Sequence, residues 1–251
     1  TPYSRNAIFS GLMPLDVATL YPEFWWNHKT HPASRNKYEP KFMAEQLRRN
    51  SVKLKNGFKY LKLYDKDVAR SVANNMSEMF HHSFVALVFN FIDFLVHQRS
   101  ESDILMEIAP DSAGFRSLTR AWFKHSALLS MLKQIAEKKI TVYITTDHGS
   151  ITAKRPTTVH GNKSTSTNIR YKFGTNLNVS EKHAIKITNP LEYKLPKESQ
   201  SMNYIIAKEN YYFVYPNEQH YYEEQFKNSL CHGGISLQEV ILPFIKLVPK
   251  G

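Results

Sequence analysis

A chain of 251 residues is long enough for one large α/β domain with a substantial core, or for two small domains. With 42% hydrophobic and 22% charged residues, composition excludes wholesale disorder, and no apolar run approaches the roughly 20 residues that a membrane span requires. A single cysteine, Cys231, excludes an internal disulfide framework and suits a reducing compartment; with no signal peptide at its start, the chain is expected in the cytoplasm.

Lysine and arginine number 33 against 22 acidic residues, a net charge of +11. That balance speaks to partners rather than fold: it favours a polyanionic ligand such as nucleic acid, weighed equally against a solvated basic surface. The chain opens at Thr1 with no initiator methionine, so a processed protein or part of a longer one is expected.

The stretch "YPEFWWNHKTHPASRNKYEP", residues 21–40, reads as an irregular, aromatic-packed segment rich in turn signals. Helical periodicity follows over 41–49 and 67–80. "FVALVFNFID", residues 84–93, is an almost unbroken apolar run that suits a parallel strand covered on both faces. Residues 117–139 place Leu118, Trp122, Leu129, Leu132 and Ile135 near helical spacing, with Lys138 and Lys139 at the C-terminal end. The strand "ITVYITT" comes next, completing a βαβ unit whose strands are expected to lie parallel in one sheet. Residues just past the C-terminal ends of such strands converge on one crevice, which is where Asp93 and Asp147 fall. Residues 203–215 read as a β-hairpin turning at Lys208, Glu209 and Asn210. The chain closes on "ISLQEVILPFIKLV", a short helix or strand and then a final apolar strand that contains Pro243, which argues for an edge or a bulge.

Ligand-type residues cluster in three places. Asp93 and His97 stand four apart, on one face of a helical turn. Asp147 and His148 end a strand, and His232 precedes two glycines that let backbone approach a site closely. Each pair alone is more often a turn or a cap than a chelate. Together they offer two carboxylates and three imidazoles, a donor set that suits zinc. His81 and His82 precede their strand and read as structural; Cys231 reads as a small buried thiol rather than a soft ligand.

These motifs resemble the alkaline phosphatase superfamily. "TPYSRNAIFSGLMP", residues 1–14, is similar to its nucleophile segment, "ITTDHG" to its strand-terminal Asp-His-Gly, and "HGGISLQEVILP", residues 232–243, to its closing motif. Asp93 and His97 match the remaining pair in order and spacing. The opening segment and residues 166–174 further resemble the PglZ domains of PorX-type response regulators, which are tied to type IX secretion.

The resemblance implies an α/β fold: an alkaline-phosphatase-like core with a mostly parallel sheet flanked by helices, plus a β-hairpin insertion. Residues 1–251 would form one such domain behind an upstream receiver domain. It implies two zinc ions, one held by Asp93, His97 and His232 and the other by Thr1, Asp147 and His148. A further family aspartate would lie upstream of Thr1. Thr1 is the implied nucleophile, metal coordination making its hydroxyl reactive, and Asn6 resembles the amide that contacts a non-bridging phosphate oxygen.

Directly after Asp-His-Gly, residues 152–174 carry Lys154, Arg155, His160, Lys163, Arg170 and Lys172, with Tyr171 and Phe173 interleaved. Cations for phosphates and rings for bases are what a single-strand groove uses, against the alternative of a mobile basic loop. The expected function is therefore a zinc-dependent phosphodiesterase acting on cyclic or linear oligonucleotides as a response-regulator output, with a homodimer on activation and a sigma factor among its partners, and with no membrane. The competing readings are a regulatory module with a structural metal site that recruits a transcription factor, a phosphomutase or phosphomonoesterase of the same superfamily, and an autoprocessed hydrolase using the α-amino group of Thr1 as base.

Overall fold

A computed structural model describes residues 2–25, 36–99, 102–161 and 168–250. The chain divides into two units, the first Thr1–Ser51 with Thr146–Leu242 and the second Val52–Thr145 with Pro243–Gly251. No helix among the described residues is long and apolar enough to cross a membrane.

The first unit opens with α1 (Pro2–Ser10) and α2 (Pro14–Leu20), where Pro2 and Pro14 take first-turn positions that lack a hydrogen-bond partner in any helix. Helix α3 (Glu39–Arg49) covers the helix expected from residue 41. It docks on α1 through a buried ion pair, Arg5 Nη2 to Glu39 Oε2 at 2.6 Å.

The second unit begins with β1 (Phe58–Leu63), where Lys59 and Lys62 break the apolar run and hide it from an apolar-run criterion. Helices α4 (Lys66–Asn74) and α5 (Met76–Met79) then lead to β2 (Phe84–Phe89), which pairs with β1 in parallel, Phe58 opposite Phe84. This β1–α–β2 segment is the βαβ unit among the described residues. Its core gathers Leu63, Ala69, Ala73, Met76, Met79 and Met131. The apolar run expected as one strand to residue 93 divides at Asn90: α6 (Phe91–Arg99) carries Asp93 in its first turn. After α7 (Asp103–Ile108), the expected long helix is two, α8 (Ser112–His125) and α9 (Ala127–Glu137). Ser126 breaks them, extended at ψ 156° with its hydroxyl accepting from Leu129 N–H, as an N-cap does. Strand β3 (Val142–Thr145) pairs antiparallel with β11 (Phe244–Leu247) rather than parallel with β2, and Pro243 stands just ahead of β11, not inside it.

Returning to the first unit, β4 (Ile151–Thr152) and β5 (Arg155–Thr158) precede an antiparallel sheet ordered β6 (Tyr171–Thr175), β8 (Met202–Ala207), β7 (Ala184–Ile187). The expected hairpin turns where the sequence places it, at Lys208–Asn210, but its arms separate: β8 pairs with β6 and β7, and β9 (Tyr211–Val214) pairs in parallel with β5. The guanidinium of Arg170 occupies the mouth of the turn, donating to the carbonyls of Lys208, Glu209 and Tyr211. Those carbonyls are satisfied without a cross-strand ladder. Helix α10 (Gln219–Phe226), β10 (Leu230–Cys231) and α11 (Leu237–Val240) complete the unit. The architecture is mixed α/β, the parallel pairings among the described residues being β1–β2 and β5–β9.

Candidate active site

The site in the first unit follows from one short strand pair. β10 runs antiparallel to β4 with Cys231 opposite Ile151. The residues that follow β10 therefore meet those that precede β4, and the His148 and His232 rings stack at 3.8 Å between centroids, 13° from parallel. His148 Nδ1 lies 3.1 Å from the carbonyl oxygen of Gly149. A carbonyl only accepts, so Nδ1 carries a proton, and in the neutral ring Nε2 then presents a lone pair. Tying one ring nitrogen to a carbonyl to free the other is how metal-ligating histidines are commonly held.

His148 Nε2 lies 3.5 Å from Asp147 Oδ2, both side chains being largely buried. Two ligand atoms about 2.0–2.2 Å from one tetrahedral zinc stand roughly 3.3–3.5 Å apart, so this spacing fits co-ligands, and the donor set of imidazoles and carboxylate fits zinc. Ser4, on α1, donates its hydroxyl to the same Oδ2 at 3.2 Å.

Glu239 holds both loops. Its carboxylate accepts from Gly234 N–H at 2.8 Å and from the Ser236 N–H and hydroxyl at 3.1 and 2.7 Å, closing a capping box on α11. Its own carbonyl accepts from Gly149 N–H at 2.9 Å. Arg170 neutralises it from the other side, Nε to Oε1 at 3.1 Å and Nη2 to Oε2 at 2.5 Å. Asn168 adds a bond from its amide to the His232 carbonyl at 3.3 Å. A Cβ on Gly149 would overlap the Gln238 carbonyl, and one on Gly234 the Arg170 guanidinium, so these two positions require glycine for close approach, whereas Gly233 between His232 and Gly234 has φ +109°.

Beside the ligand cluster lies a cavity of about 400 Å³ walled by Tyr3, Tyr171, Tyr204, Leu195 and Ile206, with Asp147, His148 and His232 also in its lining. Tyr3 meets Tyr171 edge-on, with centroids 6.2 Å apart, and its hydroxyl is 3.5 Å from that of Tyr204. Burial raises the Tyr3 phenol well above its ordinary range, and burial likewise pushes Tyr204 to about 12. Both rings therefore face the cavity as neutral phenols at physiological pH.

The remaining sequence-predicted residues are distributed differently. Thr1 and Lys163 lie outside the described residues. Asn6 is buried and accepts from the Asn36 amide at 3.3 Å. Lys154 and His160 are exposed. Arg155 is engaged by Glu209, Asn210 and the Tyr211 hydroxyl. Arg170 and Lys172, expected on an open basic segment, are buried, at 0% and 1% exposure; their part of that segment is strand β6 and its approach. Burial lowers the Lys172 ammonium to about 8, and it sits 4.9 Å over the Tyr215 ring. In the second unit, Asp93 Oδ1 and His97 Nε2 face each other at 3.5 Å on α6, as the spacing of four predicts. Of the cavity tyrosines, sequence reasoning names Tyr171 among the rings for bases and misses Tyr3 and Tyr204; it also misses Ser4, whose signal is its place three residues after Thr1 in the resembling nucleophile segment.

The family described as the BREX system PglZ alkaline phosphatase-like domain matches residues 1–247. No curated protein matches the chain.

Proposed function

The chain belongs to the PglZ alkaline phosphatase-like family and is a phosphoesterase-type hydrolase, and we propose that it is a zinc-dependent phosphodiesterase acting on cyclic or linear oligonucleotides. The observation that carries the reading is His148, its Nδ1 engaged by the Gly149 carbonyl and its Nε2 turned to Asp147 Oδ2, against the ring of His232.

Zinc held there would neutralise charge on the phosphate and lower the pKa of a bound hydroxyl. Asp147, His148 and His232 are the ligands in this reading, and the resemblance adds Thr1, Asp93 and His97 for a pair of ions. The Thr1 hydroxyl attacks phosphorus in line, the bond to the leaving alcohol oxygen breaks, and water hydrolyses the resulting phosphothreonine, restoring the hydroxyl. Ser4 orients the Asp147 carboxylate through its hydrogen bond. The net charge of +11 supports a polyanionic substrate, although Arg170 and Lys172 are withdrawn from that task by burial. The resemblance further supports an effector domain behind a receiver domain in a type IX secretion response regulator, dimerising on activation and contacting a sigma factor.

The test is hydrolysis of bis-p-nitrophenyl phosphate and a short oligoribonucleotide by the full-length protein with zinc, beside Thr1→Val, His232→Ala and a chelated control. Diester turnover that all three abolish is expected. Zinc binding without turnover on any phosphate ester would overturn the enzymatic reading in favour of a partner-recruiting module.

A further inference from the structure

We propose that the tyrosine-walled cavity is a base-binding subsite, taking the nucleobase next to the scissile phosphate. The inference rests on the phosphodiesterase reading and specifies how that site would choose its substrate. Asp147, His148 and His232 line the same cavity as Tyr3, Tyr171 and Tyr204, so a phosphate ester held by the first group extends an ester substituent toward the second.

The walls restrict what that substituent is. Among the described residues that line the cavity there is no lysine or arginine, so a second phosphate gains no counter-charge there. The basic residues that adjoin lining residues in sequence are engaged by other groups: Arg170 pairs with Glu239, Lys172 sits over the Tyr215 ring, Arg5 pairs with Glu39 and Lys194 with Asp16. Flat tyrosine rings suit a planar heterocycle, which stacks on their faces, better than they suit a sugar polyol. The Tyr204 hydroxyl is given to the Pro196 carbonyl at 2.9 Å, with the Tyr3 hydroxyl 3.5 Å from it, so stacking rather than hydrogen bonding at the rim carries the contact. A cavity of about 400 Å³ falls within the usual range for sites that enclose a small ligand.

The experiment compares hydrolysis of an adenylyl dinucleotide with analogues in which either base is replaced by hydrogen; the charge and the phosphodiester stay constant. Removal of one of the two bases is expected to lower kcat/KM by about tenfold or more, chiefly through KM. In the full-length Tyr3→Leu protein the ratio of intact to abasic substrate should collapse toward one, while Tyr3→Phe should retain it. Equal turnover of all three substrates by the wild type would overturn the subsite and leave the phosphodiesterase reading standing. If none is hydrolysed, that reading fails, and calorimetry with adenosine 5′-monophosphate against inorganic phosphate decides the subsite. Nucleotide binding that weakens in Tyr3→Leu but not in Tyr3→Phe would uphold it, and equal affinity for both probes would end it.

Discussion

Arg170 and Glu239 form an ion pair whose side chains are 0% and 1% exposed, 69 residues apart in sequence. Removing one partner leaves the other charge buried and uncompensated, at a cost of about 3–5 kcal/mol. Glu239→Ala should therefore lower the urea midpoint sharply, and Arg170→Met should do nearly as much. The double variant should lose less than the sum, because neither charge is then stranded. Additive losses in a double-mutant cycle would show that the pair does not act as a unit.

Gly149 and Gly234 make a sterically distinct prediction. An alanine at Gly149 must displace the Gln238 carbonyl, and one at Gly234 meets both Arg170 and the Ala207 carbonyl, the latter at 2.7 Å. Overpacking of that kind costs about 1–3 kcal/mol, and because each glycine adjoins a candidate ligand loop, zinc affinity should fall with stability. Gly57, with φ +61° and nothing within 4 Å of an added Cβ, is the control. Its alanine variant should lose about 1 kcal/mol to backbone strain alone and retain zinc. Equal zinc loss in all three would refute close approach as the cause.

Much of the site was legible because its chemistry is local. Asp93 and His97 declare themselves by helical spacing, and Asp147-His148-Gly149 by its place after an apolar run. What pairs with what was less legible. Residues 203–215 carry the alternation and the turn of a hairpin, yet the turn carbonyls are taken by Arg170, some forty residues upstream, and no local pattern encodes that partner. Likewise Lys172 sits among aromatics in a sequence window that equally describes an open basic groove; only the sheet order, which pairs it with Ile205, turns its side chain inward. Strand β1 was hidden for the opposite reason, since Lys59 and Lys62, on opposite faces of the strand, break an apolar run whose place is fixed only once Phe58–Leu63 pairs with β2.

Lys172 also sets a pH dependence. Burial holds its folded pKa at about 8, below the ordinary value of 10.5. Between those values the unfolded chain binds the proton and the folded chain does not, so this residue's contribution to stability rises with pH through that window, while below it the buried ammonium is a standing cost. Lys172→Met should stabilise the protein at pH 7, and its advantage should shrink by pH 9.5. The comparison must be made as a difference, because burial pushes the Cys231 thiol and the Tyr204 phenol up to about 12, and those groups lower stability in alkali in both proteins. A gap independent of pH would assign the gain to packing instead.

Zinc should stabilise the folded chain by mass action, because His148 and His232 are brought together by the β4–β10 pairing and are separate in the unfolded chain. A ligand that binds only the folded state contributes about 2.7 kcal/mol at a hundredfold excess over its Kd. The melting temperature of chelator-treated protein should therefore climb with the logarithm of added zinc. His148→Ala removes the imidazole whose Nδ1 is already held by Gly149, and His232→Ala removes its stacked neighbour, so each should flatten that climb. Ser4→Ala should leave the climb present but weaker, since it loses only the hydroxyl that steadies Asp147 at 3.2 Å. Differential scanning fluorimetry across zinc concentrations, with metal content measured by atomic emission, separates these cases. A wild-type melting temperature indifferent to zinc would mean that the stacked histidines hold no metal, whatever their resemblance to ligands.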